Sequence, residues 1–160
     1  MIPVWAFGLI LIVLTIGAVC LRAAPMRRTA IVLLLNWACE VIYYHLTHDS
    51  TPWLWWMAAD TLAAIVILTR PAGRVQAYIG ATYLIEVAFH SAYGIHLGQG
   101  YSRTAQMHYW QILQVIAYVQ VALLGGWIGG GLAQRFHRRY SSLYPNLPRA
   151  PHPQGAGKTR

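Results

Sequence analysis

The chain is poor in charge of either sign, and poorest in acidic residues. Only 10% of its 160 residues are charged, and four Asp and Glu stand against twelve Lys and Arg. Soluble domains carry about 25% charged residues, so the composition argues against a soluble fold. Two cysteines, Cys20 and Cys39, both inside apolar runs, give no sign of a disulfide framework.

Motifs that carry catalytic chemistry are also missing. We find no nucleophile paired with a base, no phosphate-binding loop, no pair of zinc ligands and no nucleotide-binding fingerprint. We therefore expect a protein that is not an enzyme and that uses neither a cofactor nor a metal ion.

What the sequence does contain is apolar: 57% of the residues are hydrophobic, arranged in five long runs. About 20 helical residues cross a hydrocarbon core of about 30 Å. We predict an all-α polytopic membrane protein, a bundle of five transmembrane helices within residues 1–133. The spans are expected at about 2–21, 29–46, 53–69, 75–95 and 107–133, with Pro25 breaking the chain before the second. Residues 134–160 are expected to form a basic, proline-rich, disordered cytoplasmic tail.

Basic residues alternate with these runs and so indicate an orientation. Eleven of the twelve fall in three stretches: Arg22, Arg27 and Arg28; Arg70 and Arg74; and Arg135, Arg138, Arg139, Arg149, Lys158 and Arg160. Basic residues are retained on the cytoplasmic side, which places the N-terminus outside and the C-terminus inside a cell inner membrane. Because the charges flank the spans rather than form one face, nucleic acid is not an expected partner. The expected partners are the lipid bilayer and either further copies of the chain or another membrane protein.

Three of the four acidic residues, Glu40, Asp60 and Glu86, lie inside predicted spans. A charged carboxylate at the bilayer centre costs about 2.5–3.5 kcal/mol, so these groups must face one another, a polar cavity or a partner chain. Asn36 shares a helix face with Glu40, and His90 shares one with Glu86, because each pair is four residues apart. We predict that the five residues form one interior cluster.

Three interpretations of this cluster stay open. Protonated carboxylates can join helices by hydrogen bonds, the groups can bind protons or cations for transport, or they can ligate a metal ion. The Glu86-x-x-x-His90 spacing differs from the Glu-x-x-His pattern of di-iron bundles, which argues against the metal.

A second polar pattern occurs in the fifth run. Gln111, Gln114 and Tyr118 recur at intervals of three and four, and Gly125 and Gly129 continue the stripe. Glycines at this spacing let helices approach closely, and glutamine amides bond across interfaces. The stripe is expected to serve helix packing within one chain, and the alternative is an interface between copies or the lining of a pore.

A small chain with several spans, such a stripe and a basic cytoplasmic tail resembles the holin-like membrane proteins of phages and prophages. The resemblance concerns organisation across the whole chain, and it implies an oligomer that forms pores in the inner membrane. Two other functions stay open on the residues themselves. One is a small proton- or cation-translocating transporter or channel subunit built around the intramembrane carboxylates, and the other is an accessory subunit whose carboxylates pair with a partner's basic residues.

Overall fold

The computed structural model describes residues 3–48, 52–97 and 102–143, which form five α-helices and no strand. The helices are α1 (Val4–Leu21), α2 (Ala24–Thr47), α3 (Trp53–Leu68), α4 (Arg74–Leu97) and α5 (Arg103–Leu143). α1 packs against α2 and α5, α3 packs against α2 and α4, and α4 packs against α5. The five helices therefore close into a ring.

Three helices, namely α1, α2 and the Arg103–Tyr140 part of α5, are long and apolar enough to cross a membrane. This statement concerns length and composition within the described ranges. α3 is apolar but has only 16 residues, about 24 Å of helix. α4 has 24 residues but includes Glu86 and His90 in its sequence. On α1, Val13 and Ile16 are 59% and 57% exposed, as expected of a membrane protein; the five-span arrangement stays a prediction.

Two predicted boundaries differ from the structure. α2 begins at Ala24, so Pro25 lies in its first turn rather than in a loop before the second span. Proline is tolerated there because the N–H groups of the first turn have no intrahelical partner. α5 continues past residue 133 to Leu143, since no helix breaker occurs between Gln134 and Pro145. Of the predicted disordered tail, residues 134–143 are instead helical, and residues 144–160 lie outside the described residues.

The end of the bundle where α1 and α3 finish and α2 and α4 begin, here called the basic end, is held by arginines. Arg28 Nη2 donates to the carbonyl of Arg70, just beyond α3, at 2.6 Å. Arg135 on α5 donates to the carbonyls of Cys20 and Leu21 at 2.7 and 2.6 Å. The last carbonyls of a helix lack intrahelical donors, so Arg135 caps the end of α1, while Arg28 joins α2 to the segment after α3.

The half of the bundle's length that lies next to the basic end, here called the packed half, contains the main apolar core. Ile67, Ile79 and Leu124 are fully buried there, and Ala30, Ala63 and Ala64 let the helices approach. A smaller aromatic cluster of Trp56, Tyr93 and Tyr109 lies towards the opposite end. That half, here called the cavity half, holds the candidate site.

Candidate functional site

A cavity of about 600 Å³ lies between the five helices. Its lining reaches Val4, Tyr44 and His45, at helix ends remote from the basic end, and descends to Leu11 and Leu33 at the core. All five residues of the predicted cluster line it. Its wall includes the polar side chains of Asn36, Glu40, Tyr44, His45, Asp60, Tyr83, Glu86, His90, Gln114, Tyr118 and Gln120.

A chain of hydrogen bonds joins four helices along this wall. Asn36 Nδ2 on α2 donates to Glu40 Oε1 at 2.9 Å and to Asp60 Oδ1 on α3 at 3.0 Å. The other oxygen of Asp60, Oδ2, lies 2.8 Å from Nε2 of His90 on α4. His90 Nδ1 in turn lies 2.5 Å from the hydroxyl of Tyr109 on α5. Asp60 and His90 are both buried.

The partners assign the protons of this chain. Asp60 as a carboxylate only accepts, so His90 Nε2 donates to it. In a neutral imidazole the other nitrogen accepts, and Tyr109 then donates to Nδ1; in a protonated imidazole both nitrogens donate and the Tyr109 oxygen accepts. Both arrangements use the same positions of the heavy atoms.

Glu86 lies one helical turn from His90 and has a separate partner. Gln120 Nε2 on α5 donates to Glu86 Oε2 at 2.9 Å, and both side chains are buried. Within the described part of the chain, Glu86 Oε1 and Glu40 Oε2 accept no hydrogen bond, whereas both oxygens of Asp60 do. Both oxygens of Asp60 are thus used in bonds between helices, whereas Glu40 and Glu86 each have one oxygen that can bind a ligand.

Aromatic rings supply much of the remaining wall. The rings of Trp56 and Trp110 meet edge to face at 5.0 Å, and Trp56 also lies 6.0 Å from the ring of His90. Phe7 and Tyr118 make a second pair at 6.4 Å between α1 and α5. Trp56 Nε1 has no hydrogen-bond partner among the described residues, so packing holds this ring.

The predicted stripe on α5 does not act as one surface. Gln114 and Tyr118 line the cavity, whereas Gln111 is exposed. A Cβ on Gly125 would lie 3.7 Å from Leu14 of α1, but one on Gly129 would meet nothing within 4 Å. At about 100° per residue, Gln111 and Gly129 share one line, and the other three are rotated towards the bundle by about 20–60°. The stripe therefore runs along the margin of the helix face that the bundle buries.

Two residues of the site, Tyr109 and Gln120, were not predicted from the sequence. They are eleven residues apart, about three helical turns, and so share a face of α5. Gln120 stands alone among apolar neighbours, and Tyr109 looks like one of many interfacial aromatics. Their common face, opposite the glutamine stripe, is the feature that indicates their role.

The chain was compared with protein-family models, with curated proteins and with solved structures. None matches. A functional assignment for this chain therefore depends on the cavity, its side chains and the helices that carry them.

Proposed function

We propose that this chain is a non-enzymatic, five-span protein of the cell inner membrane that translocates protons or cations through its acidic cavity. The N-terminus lies outside and the C-terminus in the cytoplasm, with the basic end on the cytoplasmic side. Ring closure by α3 and α4 supports five spans, because both helices carry cavity residues and lie beside α2 and α5. Reporters fused after Arg28, Arg74 and Arg139 should report the cytoplasm, and a periplasmic result at Arg74 would exclude this topology.

The observation that carries the proposal is the hydrogen-bonded chain from Tyr109 through His90 to Asp60. Imidazole can accept a proton on one nitrogen and release one from the other. The amide of Asn36 does not pass protons on, but its Nδ2 donates to both Glu40 and Asp60 and so fixes Glu40 beside Asp60. Asp60 and His90 line the cavity, and ionisable residues inside membrane-crossing helices are typical of proton and ion pathways.

Helix association alone does not account for this arrangement. Carboxylates that only join helices need no cavity and would use all their oxygens, as Asp60 does. Glu40 and Glu86 instead keep oxygens free beside about 600 Å³ of space. An ionised carboxylate there requires a positive partner, since unpaired buried charge is costly.

Flux through liposomes tests the proposal. The purified chain is reconstituted, a potassium diffusion potential is imposed with valinomycin, and internal pH is followed with an enclosed dye. We expect Asp60→Asn to reduce proton flux at least tenfold, because it replaces the carboxylate, which can take up a proton, by an amide of the same shape that cannot. Asp49→Asn, at the acidic residue of the predicted outer loop, is the matched control and should conduct like the wild type. Equal flux through Asp60→Asn, or wild-type flux no greater than that of empty liposomes, would contradict the proposal.

A second candidate is the holin-like oligomeric pore, and one observation favours it. Cβ atoms built on Gly126, Gly129 and Gly130 meet nothing within 4 Å, so α5 presents a bare surface that another copy can approach. In that case Gly129→Ile should reduce crosslinked oligomers without preventing membrane insertion. Ala58→Ile, at an exposed small residue of α3, is the control. A wild type that stays monomeric in bilayers would remove this candidate and leave the transporter proposal intact.

A further inference from the structure

We propose that the cavity binds a lipophilic organic cation, a molecule with an apolar or aromatic body around one positive nitrogen or phosphorus centre. The inference rests on the proposed function and names the class of its substrate. The argument comes from the size of the cavity, the sign of its charge and the nature of its walls.

The cavity is larger than proton transfer between the side chains requires. A proton relay needs only the hydrogen-bonded side chains themselves, whereas this cavity measures about 600 Å³. Sites for drug-sized molecules measure about 300–1,000 Å³ and are lined mainly by apolar and aromatic groups. The volume therefore suits one organic molecule of that size.

Charge sets the sign of the ligand. Glu40, Asp60 and Glu86 line the cavity, and among the described lining residues the cationic candidates are the histidines His45 and His90. His90 is already bonded to Asp60 and Tyr109. The free oxygens of Glu40 and Glu86 thus have no fixed cation beside them, and a positive ligand supplies one.

The walls favour an organic cation over a hydrated inorganic one. Trp56, Trp110, Phe7 and Tyr118 line the space, and aromatic faces attract cations, most strongly when water is excluded. In the described ranges, no three His, Cys, Asp or Glu side chains are placed to hold one metal ion. A cation that spreads its charge over an apolar body fits separated carboxylates and aromatic walls better than a small ion that needs many close oxygens.

Tetraphenylphosphonium and tetraphenylborate form a matched pair of probes, since they share shape and apolar surface but differ in the sign of charge. Binding of each to the full-length protein in mild detergent is measured by isothermal titration. We expect saturable binding of the phosphonium and none of the borate. Glu86→Gln should weaken phosphonium binding at least tenfold, because it removes the carboxyl group that would pair with the cation and keeps an oxygen that accepts from Gln120.

Aromatic variants separate the walls from the charge. Trp110→Ala should weaken phosphonium binding severalfold, whereas Trp55→Ala, at an exposed tryptophan outside the cavity, should leave it unchanged. Circular dichroism and size-exclusion profiles confirm that each variant is folded, and Glu40→Gln replaces any variant that is not. Equal binding of both probes, or unchanged phosphonium binding by the folded Glu86→Gln or Glu40→Gln protein, would overturn the inference.

The liposome assay distinguishes this failure from failure of the proposed function. If the wild type conducts protons in an Asp60-dependent way but binds no phosphonium, the translocation proposal stands and the substrate class is wrong. If neither flux nor binding is found, both are wrong.

Discussion

The packed half and the cavity half are built from the same five helices but differ in what fills the space between them. In the packed half, alanines and branched aliphatic residues meet with almost no exposed surface, as Ala18, Ile67 and Leu124 show. In the cavity half the helices are held by side-chain hydrogen bonds and aromatic rings, and about 600 Å³ stays unfilled. Close packing stabilises the packed half, whereas the cavity half is less closely packed and has polar side chains in its interior.

The difference between the two halves explains how a small bundle can contain a site with buried polar groups. Buried polar groups are tolerable only when their partners are fixed, and fixed partners need helices that do not shift. The arginine caps and the aliphatic core hold the helices at the basic end. The helices α2, α3, α4 and α5 then each place polar residues in the cavity half.

The largest effect on stability is expected in the packed half. Ile67→Ala removes a side chain with 0% exposure at the contact between α3 and α4 and leaves a cavity that the alanines around it cannot fill. Substitutions of this kind cost about 2–5 kcal/mol of unfolding free energy. Unfolding of the purified protein by a denaturing detergent, followed by circular dichroism, measures the loss.

Ile65→Ala is the control for this prediction, because the same change on the same helix removes a side chain that is 58% exposed. It should change the unfolding free energy by well under 1 kcal/mol. Similar losses in the two variants would mean that the packed half is not the stabilising region.

The sequence predicts the fold well where one property dominates. Runs of apolar residues about twenty long led to five helices at nearly the observed positions, since helix length in a membrane follows from its thickness. The ring order was not predicted, because it depends on which small residues meet. A Cβ on Gly8, for example, would lie 2.2 Å from Trp37 Cη2, so this glycine permits the close approach of α1 and α2. Helix ends were missed where a proline or a polar segment continues a helix.

The site was predictable in part for a related reason. Carboxylates in apolar runs are costly, and that cost identified Glu40, Asp60 and Glu86 without any structure. Uncharged partners carry no such cost: Tyr109 and Gln120 are ordinary residues until the contacts of α5 with its neighbours are known. The cavity itself is set by the sum of all five helix positions, which the sequence pattern does not express.

The smallest effect on stability is expected in the cavity half, from Tyr109→Phe. The change removes one hydroxyl bonded to His90 and leaves the ring stacked on Tyr93 at 3.9 Å. Side-chain hydrogen bonds between membrane helices contribute about 0.6 kcal/mol on average, so we expect a loss of that order in the same unfolding assay.

A double-mutant cycle with His90→Gln isolates the pair, and Tyr78→Phe, at an exposed tyrosine of α4, is the control. Because Asp60 and His90 remain bonded, proton flux should fall less than in Asp60→Asn. If the cycle gives no coupling while flux falls as far as in Asp60→Asn, the hydroxyl of Tyr109 is essential to the relay and contributes nothing to stability. If the loss instead approaches that of Ile67→Ala, the cavity half is as stabilising as the packed half, and the proposed division between them fails.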